Sequence, residues 1–240
     1  MAVRWRVTHA IKAGAAVVRP LKQYPGLNMT LRYDGDTLKA VEHELQVDES
    51  FGHADVVRKS HELLVTFWEL LHYLRGLPIS IERSSAVPLE SSVANKSTGA
   101  VVAVFDALIC HRMEMPREDI LLDPPGRLLV WLRLANDARA GRDVDAIRNY
   151  YMIWEDMHGR PQEGKSPRAA LELKHSRDFV SHGRVDNKEV QKFLKQELGR
   201  SITQFDPTDR AQAALVEKLR HQARDLVEDE LAKVLQRGPQ

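Results

Sequence analysis

Residues 143–154 read DVDAIRNYYMIW, and their reading decides the second half of the chain. Val144, Ile147, Tyr151 and Trp154 recur at spacings of three, four and three, which lines them along one side of an α-helix. Asp143 stands where a helix N-cap is expected, just past the helix-breaking Gly141. Arg148 and Asn149 fall off the apolar stripe. Tyr150, Tyr151 and Trp154 carry rings able to stack on bases, but at helical spacing in an apolar segment they are expected in the core.

Working outward, the neighbouring segments keep the helical period. Pro124-Pro125-Gly126 opens a stretch whose Leu128, Leu129, Trp131, Leu132, Leu134 and Ala135 make an apolar face. Residues 159–167 form a loop rich in glycine, proline and charge. Helices are expected over 168–182, 187–198 and 207–236, the last capped by Asp206 with Pro207 at its first position. Its Leu215, Leu219, Leu226 and Leu231 are interspersed with charges, so one side packs and the other is solvated.

The first half changes period. Residues 29–33 read as a strand, and Asp34-Gly35-Asp36 supplies the turn into the next. Over 38–47 Val41, Leu45 and Val47 share one side with His43, opposite Glu42, Glu44 and Gln46. Residues 55–74 read as one helix with Val57, Leu64 and Leu71 seven apart, stopped by Gly76 and Pro78. Strands are expected at 79–87 and 100–109, with a Ser-rich loop over 90–99 between them. The expected fold class is an α+β N-terminal module, residues 1–114, followed by an all-α helical bundle, residues 117–240, with the boundary near 113–116.

Composition narrows the function. The 240 residues carry a formal net charge of +1, so no overall basic field marks a nucleic-acid binder, although a local basic site remains open. The single cysteine, Cys110, excludes an intrachain disulfide framework and reads as a small buried hydrophobe. None of the ten histidines falls in a zinc-binding spacing, so no metal and no cofactor is expected. No apolar run approaches the ~20 residues of a membrane span, and the basic first 19 residues lack a signal-peptide core. A soluble cytoplasmic protein is the expectation.

Residues 177–182, RDFVSH, are the chemically distinctive run. Ala170, Leu173, Arg177 and Val180 lie on one helical stripe, so a permanent cation occupies a position that the pattern gives to an apolar side chain. It must meet a carboxylate, a phosphate or water. His182 lies roughly 140° further round at about 100° per residue. A fraying helix end at Gly183, or a second subunit, brings the two together. Asp178 adjoins the arginine, Ser181 is placed to orient a phosphate, and Arg184, Arg148 and Asn149 are candidate substrate contacts. Residues 168–200 hold eight Arg or Lys against five acids. That mild excess is compatible with single-stranded RNA as partner. RNA supplies its own nucleophile, the 2′-hydroxyl, so an imidazole base and a fixed guanidinium suffice for metal-free transesterification.

The same residues have a structural reading. Arg177 then pairs with Asp178, Glu155 or another carboxylate, Arg148 pairs with Asp145 or Asp156, and His182 closes the helix. His175, two residues before Arg177 and on the opposite side, reads as surface.

The run from Arg177 to His182 resembles the R-x4-6-H signature of the HEPN superfamily, in which a polar residue commonly follows the arginine. Residues 147–155, IRNYYMIWE, resemble the helix that packs on the motif helix in these proteins. The resemblance covers about 117–240. It implies a helical bundle that dimerises to bring two motifs together, with Arg177 and His182 catalytic. It also implies a metal-independent endoribonuclease of antiphage or toxin systems. Some members are inactive, so a catalytically silent binding or scaffold domain is the alternative. Nothing in the resemblance assigns a role to residues 1–114.

Overall fold

The computed structural model describes residues 2–12, 25–35, 37–75, 81–89, 118–122, 124, 126–181 and 185–237. The described residues form two compact units, one up to Gly126 and the other Arg127–Arg237. The first is a mixed α+β module and the second is all-α. The contact boundary leaves the short helix α3 (Glu118–Leu122) with the first unit, whereas the sequence reading began the helical half at 117.

The first unit is built on an antiparallel sheet in the order β2-β3-β1-β4, with β1 Ala2–Ile11, β2 Met29–Asp34, β3 Thr37–Asp48 and β4 Ile81–Pro88. In β3 the expected alternation holds, with Val41, His43, Leu45 and Val47 buried. Gly35 turns β2 into β3 at φ +57°, a left-handed conformation that suits glycine. β1 was not anticipated. Arg4 and Arg6 interrupt its apolar run, yet they alternate with it: Val7, His9 and Ile11 are buried on one face. On the other face both arginines bind Glu44, at 3.2 and 2.7 Å.

The helix expected over 55–74 is two helices, α1 (His53–Leu63) and α2 (Val65–Arg75). Leu64 ends α1, its N–H bonded to the Ser60 carbonyl at 3.1 Å, and the β-branched pair Val65-Thr66 follows the break. Val56 of α1 packs with Val7, Leu45, Val47 and Ala86 over the inner sheet face. The turn residue Asp36, the stop signals Gly76 and Pro78, the 90–99 loop, the 100–109 strand and Cys110 lie outside the described residues.

The second unit comprises α4 (Leu128–Ala140), α5 (Asp143–His158), α6 (Arg168–Ser181), α7 (Lys188–Leu198) and α8 (Arg210–Arg237). α5 packs against α4, α6 and α8, and its Ile147, Tyr150, Tyr151 and Trp154 are buried as expected. Asp143 is the first residue of α5, not its cap. Arg142 takes the cap position without a side-chain bond, and the Asp143 carboxylate binds Arg220 of α8 at 2.6 Å. Arg220 also donates to the Arg139 carbonyl at 3.0 Å, tying α8 to the end of α4.

α7 keeps to the expected span: the Asn187 side chain accepts from the Glu189 N–H at 2.9 Å, and Gly199 stops the helix at φ +68°. α8 starts three residues later than the sequence suggests. Asp206 accepts from the Thr208 N–H and hydroxyl, at 2.8 and 2.7 Å, closing a local turn of its own. Asp209 then caps the helix through the N–H groups of Ala211 and Gln212. Among the described residues no helix is long and apolar enough to cross a membrane.

Candidate functional site

α6 packs against α5, α8 and α7, and α5 and α8 also meet directly. Ala170, Leu173 and Val180 of its stripe are buried, and Phe179 sits in a core with Ile147, Val190, Leu194 and Leu219. Arg177 occupies that stripe with 23 % of its side chain exposed. Its guanidinium lies over the Tyr151 ring of α5, 4.3 Å from the centroid, a part-exposed cation–π contact. Nη1 is 3.2 Å from Oδ1 of Asp178, whose side chain is 14 % exposed. The Arg177 Nε is buried and has no acceptor among the described residues.

Tyr151 anchors the arrangement through its hydroxyl, which donates to Glu155 Oε1 at 3.0 Å. Burial raises its pKa and the Glu155 bond adds to this, while Arg177 acts in the opposite sense. The phenol therefore stays protonated near neutral pH. It serves as a shelf for the guanidinium and not as a base.

Arg148 reaches from α5 to the end of α6. Its Nε donates to Ser181 Oγ at 3.1 Å, Nη2 to the Val180 carbonyl at 3.0 Å, and Nη1 lies 3.4 Å from Asp145 Oδ1. A cation on the last carbonyls of a helix complements its dipole. Arg148 and Ser181, both singled out from sequence, are thus in direct contact. Asp156 goes elsewhere, to Arg127 at 2.7 Å and the Trp131 indole N–H at 2.6 Å. Asn149 is half-buried on α5, and no described contact joins it to Arg177 or Ser181.

His182, Gly183 and Arg184 lie outside the described residues. The residues on either side of them are anchored. Val180 and Val185 are both buried in the same core, and the Val185 N–H bonds to the Thr203 carbonyl at 2.9 Å.

His175 is not a surface residue. Its side chain is 12 % exposed, its ring packs on Phe193 of α7 at 5.6 Å, and Nε2 is 3.6 Å from Glu163. Burial lowers its pKa against the pull of Glu163. The side of α6 turned away from α5 is covered by α7, so a helix with one apolar stripe in sequence has two buried sides here. Between α6 and α8 a groove of about 310 Å³ is lined by Glu172, Asp225 and Asp229 around Leu173, Ala223 and Leu226. Its acids repel phosphate, which separates it in chemistry from the Arg177 site.

Among the described residues no group of three His, Cys, Asp or Glu side chains is placed to hold a metal ion. No known protein family, curated protein or solved structure matches the chain.

Proposed function

We propose that the helical half is an HEPN-like ribonuclease domain in which Arg177 and His182 cleave single-stranded RNA by 2′-hydroxyl attack, without a metal. The observation that carries this reading is Arg177: a guanidinium on an otherwise apolar helix stripe, part-exposed and stacked on Tyr151, whose Nε has no acceptor among the described residues. A guanidinium offers planar donors to a phosphate, and the exposed part of Arg177 is where such an oxygen would meet it.

The His182 imidazole takes the 2′-hydroxyl proton, and the 2′-oxygen attacks phosphorus. Arg177 holds the non-bridging oxygens as negative charge builds on the phosphorane. The 5′-oxygen leaves with a proton from the His182 of a second chain in a homodimer formed through the helical half. The products are a 2′,3′-cyclic phosphate and a 5′-hydroxyl. Asp178 fixes the reach of Arg177. Ser181 accepts from Arg148, so among the described residues its own O–H proton is available to orient the phosphate. Arg148 supports the end of α6, and Arg184 and Asn149 are further candidate substrate contacts.

One observation favours the alternative, a catalytically inactive HEPN-like binding or scaffold protein. The Arg177–Asp178 ion pair already offsets the arginine charge. The two readings part on a DNA oligonucleotide carrying a single ribonucleotide, incubated with chelator. The ribonuclease cuts 3′ to the ribonucleotide and leaves a cyclic phosphate. Equal cutting of the all-deoxy strand would contradict 2′-hydroxyl attack, and an intact ribonucleotide strand would leave the scaffold reading.

A further inference from the structure

Beneath α1 of the first unit, two histidines and a serine are buried together. His9 of β1 is fully buried and His43 of β3 nearly so. Ser60 of α1 stands between them, its Oγ 2.9 Å from His9 Nε2 and 2.8 Å from His43 Nδ1. Ser84 of β4 completes the row, 2.8 Å from His9 Nδ1. Four elements, β4, β1, α1 and β3, are therefore joined through one chain of hydrogen bonds.

A neutral imidazole donates at one nitrogen and accepts at the other. The row Ser84–His9–Ser60–His43 is then fully hydrogen-bonded with neutral rings: Ser84 donates to His9, His9 to Ser60 and Ser60 to His43, or the three bonds reverse, or Ser60 accepts from both rings. Charging His9 keeps these contacts, because both serines can accept, but puts a cation in a buried row that contains no carboxylate. Charging His43 as well places two cations on one hydroxyl oxygen in a dry interior.

No carboxylate is among the described contacts of the two imidazoles. From α1, His61 lies 6.3 Å from the His9 ring and stacks on Trp68 of α2, which meets His9 edge-on at 5.6 Å. His53 of α1 accepts the Ala86 N–H of β4 at 3.0 Å. Asp55, Arg58, Lys59 and Glu62 of α1 are part-exposed or exposed and pair with one another. From β3, Glu42 and Glu44 point to the opposite sheet face, held by Arg32, Arg4 and Arg6. β2 places Met29 opposite His43, and Glu82 and Arg83 of β4 are exposed. Burial, helped by the charges of His61 and His43, pushes His9 down to about 4, and burial also lowers His43.

We propose that this network is a proton-operated latch, fastening α1 to the sheet while both imidazoles are neutral and releasing it when they are charged. The sign follows from linkage. A histidine whose pKa is lower in the closed form than in the open form costs nothing above the open-form value of 6.5. As pH falls from there toward about 4, the open form takes up the proton first and the closed form loses ground. His9 alone shifts the balance toward opening by up to about 300-fold across that window, and His43 adds in the same direction. Release uncovers Val7, Leu45 and Val47, the apolar floor on which Val56 rests.

The test is hydrogen exchange on the full chain at pH 7.5 and pH 5, corrected for intrinsic exchange, with α5 amides as the internal reference. Protection of α1 amides in the wild type is expected to fall by about 30-fold or more relative to α5. In a His9→Gln, His43→Gln variant, which keeps hydrogen-bonding groups but cannot titrate, the fall is expected to be under about threefold. Unchanged wild-type protection, or an equal fall in the variant, overturns the latch. Should that variant fail to fold, imidazole NMR titration of the wild type decides instead. His9 is expected to stay neutral well below its ordinary value, titrating near 4, and His9 titrating near 6.5 overturns it.

Discussion

Arg177→Ala is expected to lower RNA cleavage by about 10²–10³-fold, the usual cost of removing one donor to a developing oxyanion. The fold should persist, because the side chain is part-exposed at 23 % and its neighbours Tyr151 and Asp178 keep their own backbone supports. Arg177→Lys keeps the charge but loses the planar fork and its stacking on Tyr151, so it should recover only part of the rate. Single-turnover cleavage of labelled RNA, with circular dichroism as the folding control, measures both. Wild-type rates in Arg177→Ala would remove the arginine from the chemistry.

The largest stability effect is expected at Phe179, two residues along the same helix. Its ring is fully buried among Ile147, Val180, Phe193, Leu194 and Leu219, and meets Phe205 edge-on at 5.1 Å. Phe179→Ala removes that packing and leaves a cavity, at about 3–5 kcal/mol. A domain of this size holds only ~5–15 kcal/mol in total, so the helical unit should approach instability at physiological temperature. Urea unfolding followed by tryptophan fluorescence, with Phe179→Leu as a milder control, reads the loss. A change below about 1 kcal/mol would contradict the packing described for α6.

The two predictions separate because neighbouring positions on one helix have different surroundings, and sequence reveals only part of that. The stripe through Ala170, Leu173 and Val180 marks Arg177 as out of pattern without any coordinates. It does not show that Tyr151 lies beneath the guanidinium, since that depends on the height and rotation of α5 against α6. Nor does it show Arg148 at the end of α6, a contact 33 residues apart in sequence. His175 reads as surface in the sequence for a related reason: α7 covers a side of α6 that its own periodicity leaves polar.

Helix ends were similarly divided. The span 187–198 is legible because its ends are local: the Asn187 side chain takes the Glu189 N–H, and Gly199 adopts positive φ. Asp143 and Asp206 looked like caps, but a distant arginine claims the first and a local threonine the second. β1 was hidden because Arg4 and Arg6 look like breaks in an apolar run, when their partner Glu44 is on the neighbouring strand. The histidine pair left a trace, for both His9 and His43 alternate with buried aliphatic residues. Ser60, which joins them, lies 51 and 17 residues away in the chain.

The most direct measurement of the proposed function compares wild type and His182→Ala on labelled single-stranded RNA, with and without chelator. The wild type is expected to cleave equally in both conditions. His182→Ala is expected to lose about 10²–10⁴-fold while remaining folded, as removal of a general base requires. Cleavage by His182→Ala at the wild-type rate, or wild-type cleavage abolished by the chelator, would contradict the Arg177–His182 site.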